Sequence, residues 1–288
     1  MADSSTKELT MQQKIWMYTA MAFRALWPLA LYALLPSFCM AVGYVFGHPD
    51  MTMEEFFSYG ANFYSALGIF LALFIFHRKA KKKGTTLSQD ATLFFKEMRP
   101  LSAVGFFIFG FASATAVSAL LTLLPKFFLT VGYHNASQKM YLGRDLIFTM
   151  LTILFTAPIT EEIVFRGYML NTFLEKLPEK WAVLLSSIIF ALLHGSILWI
   201  LYAFLLGQIM AKVSMKEDNI AYGVMLHIGF NATAIVNLFI TESEKLNAAL
   251  YGSKILIACY GILGLSVSVL LAMIYTEKIN IALKVRTK

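Results

Sequence analysis

Between Ala157 and Leu170 the chain reads APITEEIVFRGYML, placing two adjacent carboxylates, Glu161 and Glu162, and the guanidinium of Arg166 inside an otherwise apolar run. An ionisable group at the centre of a membrane helix costs about 2.5–3.5 kcal/mol on insertion scales, so such groups are rare and mark function or pairing. Glu162 and Arg166 are four apart, share one helix face, and are ordered so as to favour an ion pair. Glu161 points about 100° away and has no partner in its own helix. Further on, FALLH stacks Phe190 over His194, and HIGFN stacks His227 over Asn231. Carboxylates and imidazoles in a poorly hydrated place can do general acid–base chemistry on a water, ligate zinc, or relay protons across a membrane. Each pair alone also has a plain reading, as an interhelical staple or as hydrogen-bonding glue.

These residues need helices to position them, and the composition supplies helices of one kind. The chain has 288 residues, of which 58% are hydrophobic, 15% aromatic and only 14% charged, with a mean hydropathy of +0.67. Soluble domains carry roughly 25% charged residues, so the composition predicts an all-α, polytopic integral membrane protein. Eight apolar segments of helical length fall near 25–46, 56–77, 101–124, 144–173, 181–194, 197–213, 219–240 and 252–276. Two amphipathic stripes accompany them: Met11, Ile15, Thr19, Ala22 and Phe23 before the first segment, and Leu87, Ala91, Phe94, Phe95 and Met98 between the second and third. The first reads as an interfacial helix. With no internal repeat and no soluble segment, residues 1–288 form one membrane domain, whose core at 144–240 carries the polar residues.

Net charge is +7, but the basic residues edge the apolar runs rather than cluster as a nucleic-acid footprint requires. Placing HRKAKKK (His77 to Lys83) in the cytoplasm puts 18 of the 24 Lys and Arg on that side, with both termini cytoplasmic. Lys126, Lys139, Arg144, Lys245 and Lys254 fall opposite, and Arg166 lies within the membrane. Measured from the cytoplasmic helix ends, Glu161, His194, His227 and Asn231 all lie roughly 12–21 Å deep. That convergence from three segments singles them out. His48, His77 and His134 fall in loops or at membrane edges, and Asn135 would be a glycosylation acceptor only in a eukaryotic secretory setting. Cys39 and Cys259 lack metal-type spacing and read as small buried hydrophobes. The first twenty residues lack the short apolar core of a cleaved signal peptide.

EEIVFR (Glu161, Glu162, Arg166), FALLH (Phe190, His194) and HIGFN (His227, Asn231) resemble the EExxxR, FxxxH and HxxxN motifs of the CPBP family, also called ABI. That family holds type II CAAX prenyl endopeptidases and bacteriocin-processing or self-immunity proteins. The resemblance covers about 144–240 and implies an intramembrane glutamate-dependent endopeptidase. In that chemistry Glu162 is neutralised by Arg166, Glu161 is free as the general base, and His194 orients the same water. His227 and Asn231 offer N–H donors to the oxyanion. No cofactor is then required. The alternative is a zinc site built from Glu161, His194 and His227, although HExxH is absent and Asn is a poor zinc ligand. A non-catalytic immunity or regulatory scaffold of the same family is the competing class, and a proton-coupled transporter a third. The expected partners are the bilayer and a membrane-associated peptide or lipidated protein (a CAAX-type prenylated tail, a bacteriocin or a pheromone precursor), not nucleic acid. The expected setting is a bacterial plasma membrane, with the site open to the cytoplasmic side.

Overall fold

A computed structural model describes residues 10–124 and 146–286. The described residues are 87% helical with no strand, and among them seven helices are long and apolar enough to cross a membrane. It is an integral, multi-pass membrane protein. Lys126, Lys139, Arg144, His134 and Asn135 lie outside the described residues.

Thr10 opens α1 (Met11–Val42) with a reciprocal cap: its hydroxyl accepts from the Gln13 N–H while the Gln13 side chain accepts from the Thr10 N–H. The helix then runs unbroken through the first amphipathic stripe into the first span. Two prolines, Pro28 and Pro36, sit inside it. A short α2 (Met53–Tyr59) precedes α3 (Ala61–Lys82), which packs along α1.

The second stripe does not form one helix. It breaks into a single capped turn, α4 (Leu87–Asp90), and a 3-10 turn at Phe95–Glu97, with Thr92 between them at φ 53°. Docking is the reason. Ala91 is fully buried against Gly167, and the Ile220 N–H donates to the Thr92 carbonyl at 3.0 Å. Asn219 accepts from the Phe94 N–H at 3.0 Å and donates to the Phe94 carbonyl at 2.9 Å, while the Tyr168 hydroxyl donates to Asp90 at 2.8 Å. The segment is therefore a strap held across the ends of two later helices; Leu87, Ala91 and Met98 pack into the protein core while Phe95 stays exposed.

Next come α5 (Pro100–Leu123), α6 over residues 146–174, α7 (Glu179–Leu192), α8 (Ile197–Glu217), α9 (Ala221–Glu242), α10 (Glu244–Tyr251) and α11 (Lys254–Arg286). α5 is sandwiched by α9 and α11. Side chains on Gly110 and Gly229 would collide with the carbonyls of Leu226 and Phe107, so two glycines allow α5 and α9 to touch backbone to backbone. Small residues at such crossings are how helices pack where lipid is as apolar as leucine. α7 accounts for the difference between eight predicted segments and seven spans. Its 14 residues reach only about 21 Å, short of a hydrocarbon core of about 30 Å.

Candidate active site

Pro158 shapes the helix that carries the two glutamates. It has no N–H for the carbonyl of Leu154, and just before it α6 widens into a π turn at Thr152–Thr156. Regular α-helix resumes over Ala157–Glu162, then gives way to a second π stretch, Ile163–Leu170, buried along its whole length. Glu161 and Glu162 thus end the α-helical piece, and Arg166 sits in the wider one. Such π insertions occur disproportionately at functional sites.

Glu162 is completely buried and Arg166 is 2% exposed. Arg166 Nη1 donates to Glu162 Oε1 at 2.8 Å and its Nη2 donates to the Gly207 carbonyl of α8 at 3.0 Å. The guanidinium also lies 4.5 Å from the centre of the Phe190 ring, a cation–π contact that ties in α7. The second glutamate oxygen, Glu162 Oε2, lies against Gly223 of α9, where a Cβ would come within 2.9 Å of it. The predicted ion pair exists, and it joins α6 to α7, α8 and α9.

Glu161 differs from its neighbour as the helical phase requires: its side chain keeps 17% of its surface. One oxygen, Oε1, accepts from the Tyr32 hydroxyl of α1 at 2.6 Å, and the other, Oε2, is 3.7 Å from His227 Nε2. The opposite ring nitrogen, His227 Nδ1, is 3.4 Å from Glu162 Oε1, close enough for attraction but without hydrogen-bond geometry. His227 therefore lies between the two carboxylates. His194, at the end of α7, is within electrostatic range of Glu161, His227 and Arg166, and Phe190 packs edge-on to both imidazoles. His194 Nδ1 is 2.9 Å from the Phe190 carbonyl. A carbonyl only accepts, so Nδ1 carries the proton and Nε2 keeps its lone pair. Asn231, one turn beyond His227, donates from Nδ2 to the Ile153 carbonyl in the first π turn of α6 at 2.9 Å.

Glu161, Glu162, Arg166 and His227 thus form one contact cluster. His194 joins through Phe190, and Asn231 fastens α9 to α6 beside it. Among the described residues no group of three His, Cys, Asp or Glu side chains is placed to hold a metal ion. Tyr32 was not foreseen. It lies 129 positions from Glu161 in an unremarkable apolar stretch, and nothing in its spacing announces the contact. Ser187 and Ser214, whose buried hydroxyls lack partners beside Gly207 and Gly223, also escaped notice.

Fold and site together define a polytopic helical membrane protein with a buried carboxylate–arginine–histidine centre. Residues 143–233 match the family described as type II CAAX prenyl endopeptidase Rce1-like; the chain carries an Rce1-like domain, consistent with the CPBP family. A 100-residue stretch, 33% of the chain, is 34% identical to an uncharacterized 24.3 kDa protein of Escherichia coli, covering 45% of it. A 90-residue stretch, 31% of the chain, is 35% identical to the UPF0177 protein YxdF of Lactococcus lactis subsp. lactis, covering 46% of that protein. The chain thus spans less than half the length of these curated relatives. No solved structure matches it.

Proposed function

We propose that the protein is a glutamate-dependent intramembrane endopeptidase acting on a membrane-associated peptide or lipidated protein. The observation that carries this reading is the unequal pair of adjacent glutamates: one is fully buried on an arginine, the other partly exposed among a tyrosine and two histidines. The buried carboxylate bonded to arginine does structural work. Its neighbour is free to take a proton.

In the proposed reaction a water bound between Glu161 Oε2 and the free Nε2 of His194 attacks the scissile carbonyl carbon. Its proton passes to Glu161, a C–O bond forms, and the carbonyl oxygen becomes an oxyanion. His227 meets that charge from its place between the carboxylates. The Asn231 amide has two N–H donors, and with one on Ile153 the second remains for the oxyanion. The C–N bond then breaks as Glu161 returns the proton to the leaving amine.

The charge bias of the loops supports termini and site entrance on the cytoplasmic side of a bacterial plasma membrane. A CAAX-type prenylated tail, a bacteriocin leader and a pheromone precursor all present a peptide there. A second reading is favoured by the deep burial of the Arg166–Glu162 bridge, which suits a structural staple in a non-catalytic immunity or regulatory protein. Peptide mass spectrometry of membranes carrying the wild-type protein or Glu161→Gln at equal levels separates them. Hydrolysis predicts peptides formed only with the wild type; identical profiles would leave the scaffold reading.

A further inference from the structure

We infer that Tyr32 is the positioning residue of Glu161, holding one carboxylate oxygen so that the other faces His227 as the base; this rests on the role of Glu161 proposed above. An ionised carboxylate only accepts hydrogen bonds, so the phenol must be the donor in the 2.6 Å contact to Oε1. Bonds of this charge-assisted kind are short and directional. With Oε1 engaged, Oε2 is the oxygen left facing His227, at 3.7 Å. Rotation of the side chain that swings the second oxygen away from His227 breaks the tyrosine bond. Tyr32 therefore converts a flexible side chain into a base with one aimed lone-pair oxygen.

The position of Tyr32 is itself controlled. Pro28 and Pro36 lie four residues before and four after it within α1. Having no N–H, Pro36 cannot bond the Tyr32 carbonyl, so the helix is weakest where the tyrosine is carried. Packing replaces the missing bond. Pro36 rests directly on Gly68 of α3, where a Cβ would overlap its backbone, and Trp27 packs edge-on against Phe76 of α3 on the other side of Tyr32. The α1–α3 contact thus sets the reach of the hydroxyl to Glu161. Addition of one methyl group at Gly68 displaces α1 and moves Tyr32 without touching the site.

The test uses the full-length protein in lipid nanodiscs. The infrared carboxylate bands of Glu161 are isolated as the difference between wild type and Glu161→Gln, then measured again in a Tyr32→Phe background. Loss of a donor on one oxygen moves the antisymmetric stretch; bands unchanged by Tyr32→Phe overturn the contact. If Tyr32→Phe does not accumulate, ring-labelled tyrosine in wild type and Glu161→Gln gives the reciprocal reading, and an unaltered tyrosine C–O band overturns it equally. Positioning is separated from packing by turnover of a peptide bond whose cleavage Glu161→Gln abolishes. Tyr32→Phe and Gly68→Ala should each lower kcat by about 10–100-fold with KM within about twofold, the scale of a misplacement near 1 Å. Unchanged kcat in Tyr32→Phe, or a loss confined to KM, overturns the positioning role. If Glu161→Gln abolishes no cleavage, the endopeptidase reading fails while the infrared result still decides the contact.

Discussion

Arg166→Ala should damage the fold before it damages any chemistry, and the size of the effect follows from its surroundings. The guanidinium is 2% exposed and makes two hydrogen bonds, at 2.8 Å to Glu162 and 3.0 Å to the Gly207 carbonyl. Its removal leaves Glu162, which has no exposed surface, as an unpaired buried anion, a loss of about 3–5 kcal/mol when one partner of a buried pair is deleted. The Gly207 carbonyl keeps its place in the α8 ladder, and the loss of its bond to the guanidinium adds about 1 kcal/mol. Against a total stability of about 5–15 kcal/mol, the melting temperature should fall by on the order of 10 °C. Arg166→Lys keeps the charge but not the fork that spans both acceptors, and should fall between. The double variant Glu162→Gln/Arg166→Met removes both charges and should recover much of the loss, a non-additivity that a double-mutant cycle measures. Fluorescence-detected size exclusion after graded heating provides the assay. Wild-type accumulation and melting in Arg166→Ala would refute the staple and make the arginine a substrate contact.

Asn231→Ala removes one bond to Ile153 and one oxyanion donor; kcat should drop about 10²–10³-fold while the melting temperature falls only slightly, read from kinetics and thermal melts on one preparation. Gly223→Ala puts a methyl group within 2.9 Å of Glu162 Oε2 and 3.0 Å of Ser214 Oγ, and overpacking of this kind costs about 1–3 kcal/mol, visible as lower thermal stability. Activity should survive chelation and dialysis in detergent. About one zinc per chain, with activity lost on its removal and restored on its return, would instead require the zinc mechanism.

The residues of the centre were legible because ionisable groups are so costly in an apolar run that each stands out singly. Helical phase alone separated Glu161 from Glu162, and the structure keeps that separation as partial exposure against complete burial. Long apolar segments gave the spans, since length and hydropathy are local properties. Tertiary matters were hidden. The stripe from Leu87 to Met98 has helical spacing, but docking on Gly167 and Asn219 outweighs its propensity and bends it into a strap. The break at Thr92 depends on partners 78 to 125 residues away and beyond, and periodicity within a window does not register them. Tyr32 was invisible for the same reason: its hydroxyl meets Glu161 only because α1 packs on α6. The π turns of α6 carried one local hint, Pro158, whose missing N–H accounts for the first of them.

The central claim, that Glu161 activates a water against a peptide bond, is tested most directly by the fate of the water oxygen. Purified wild-type protein and Glu161→Gln, matched in melting temperature, are incubated with a membrane peptide fraction in heavy-oxygen water, and the products are sequenced by mass spectrometry. The account predicts new peptide C-termini with one heavy oxygen per cleavage from the wild type, and none from Glu161→Gln. Labelled products at comparable yield from both proteins, or none from either, would contradict it.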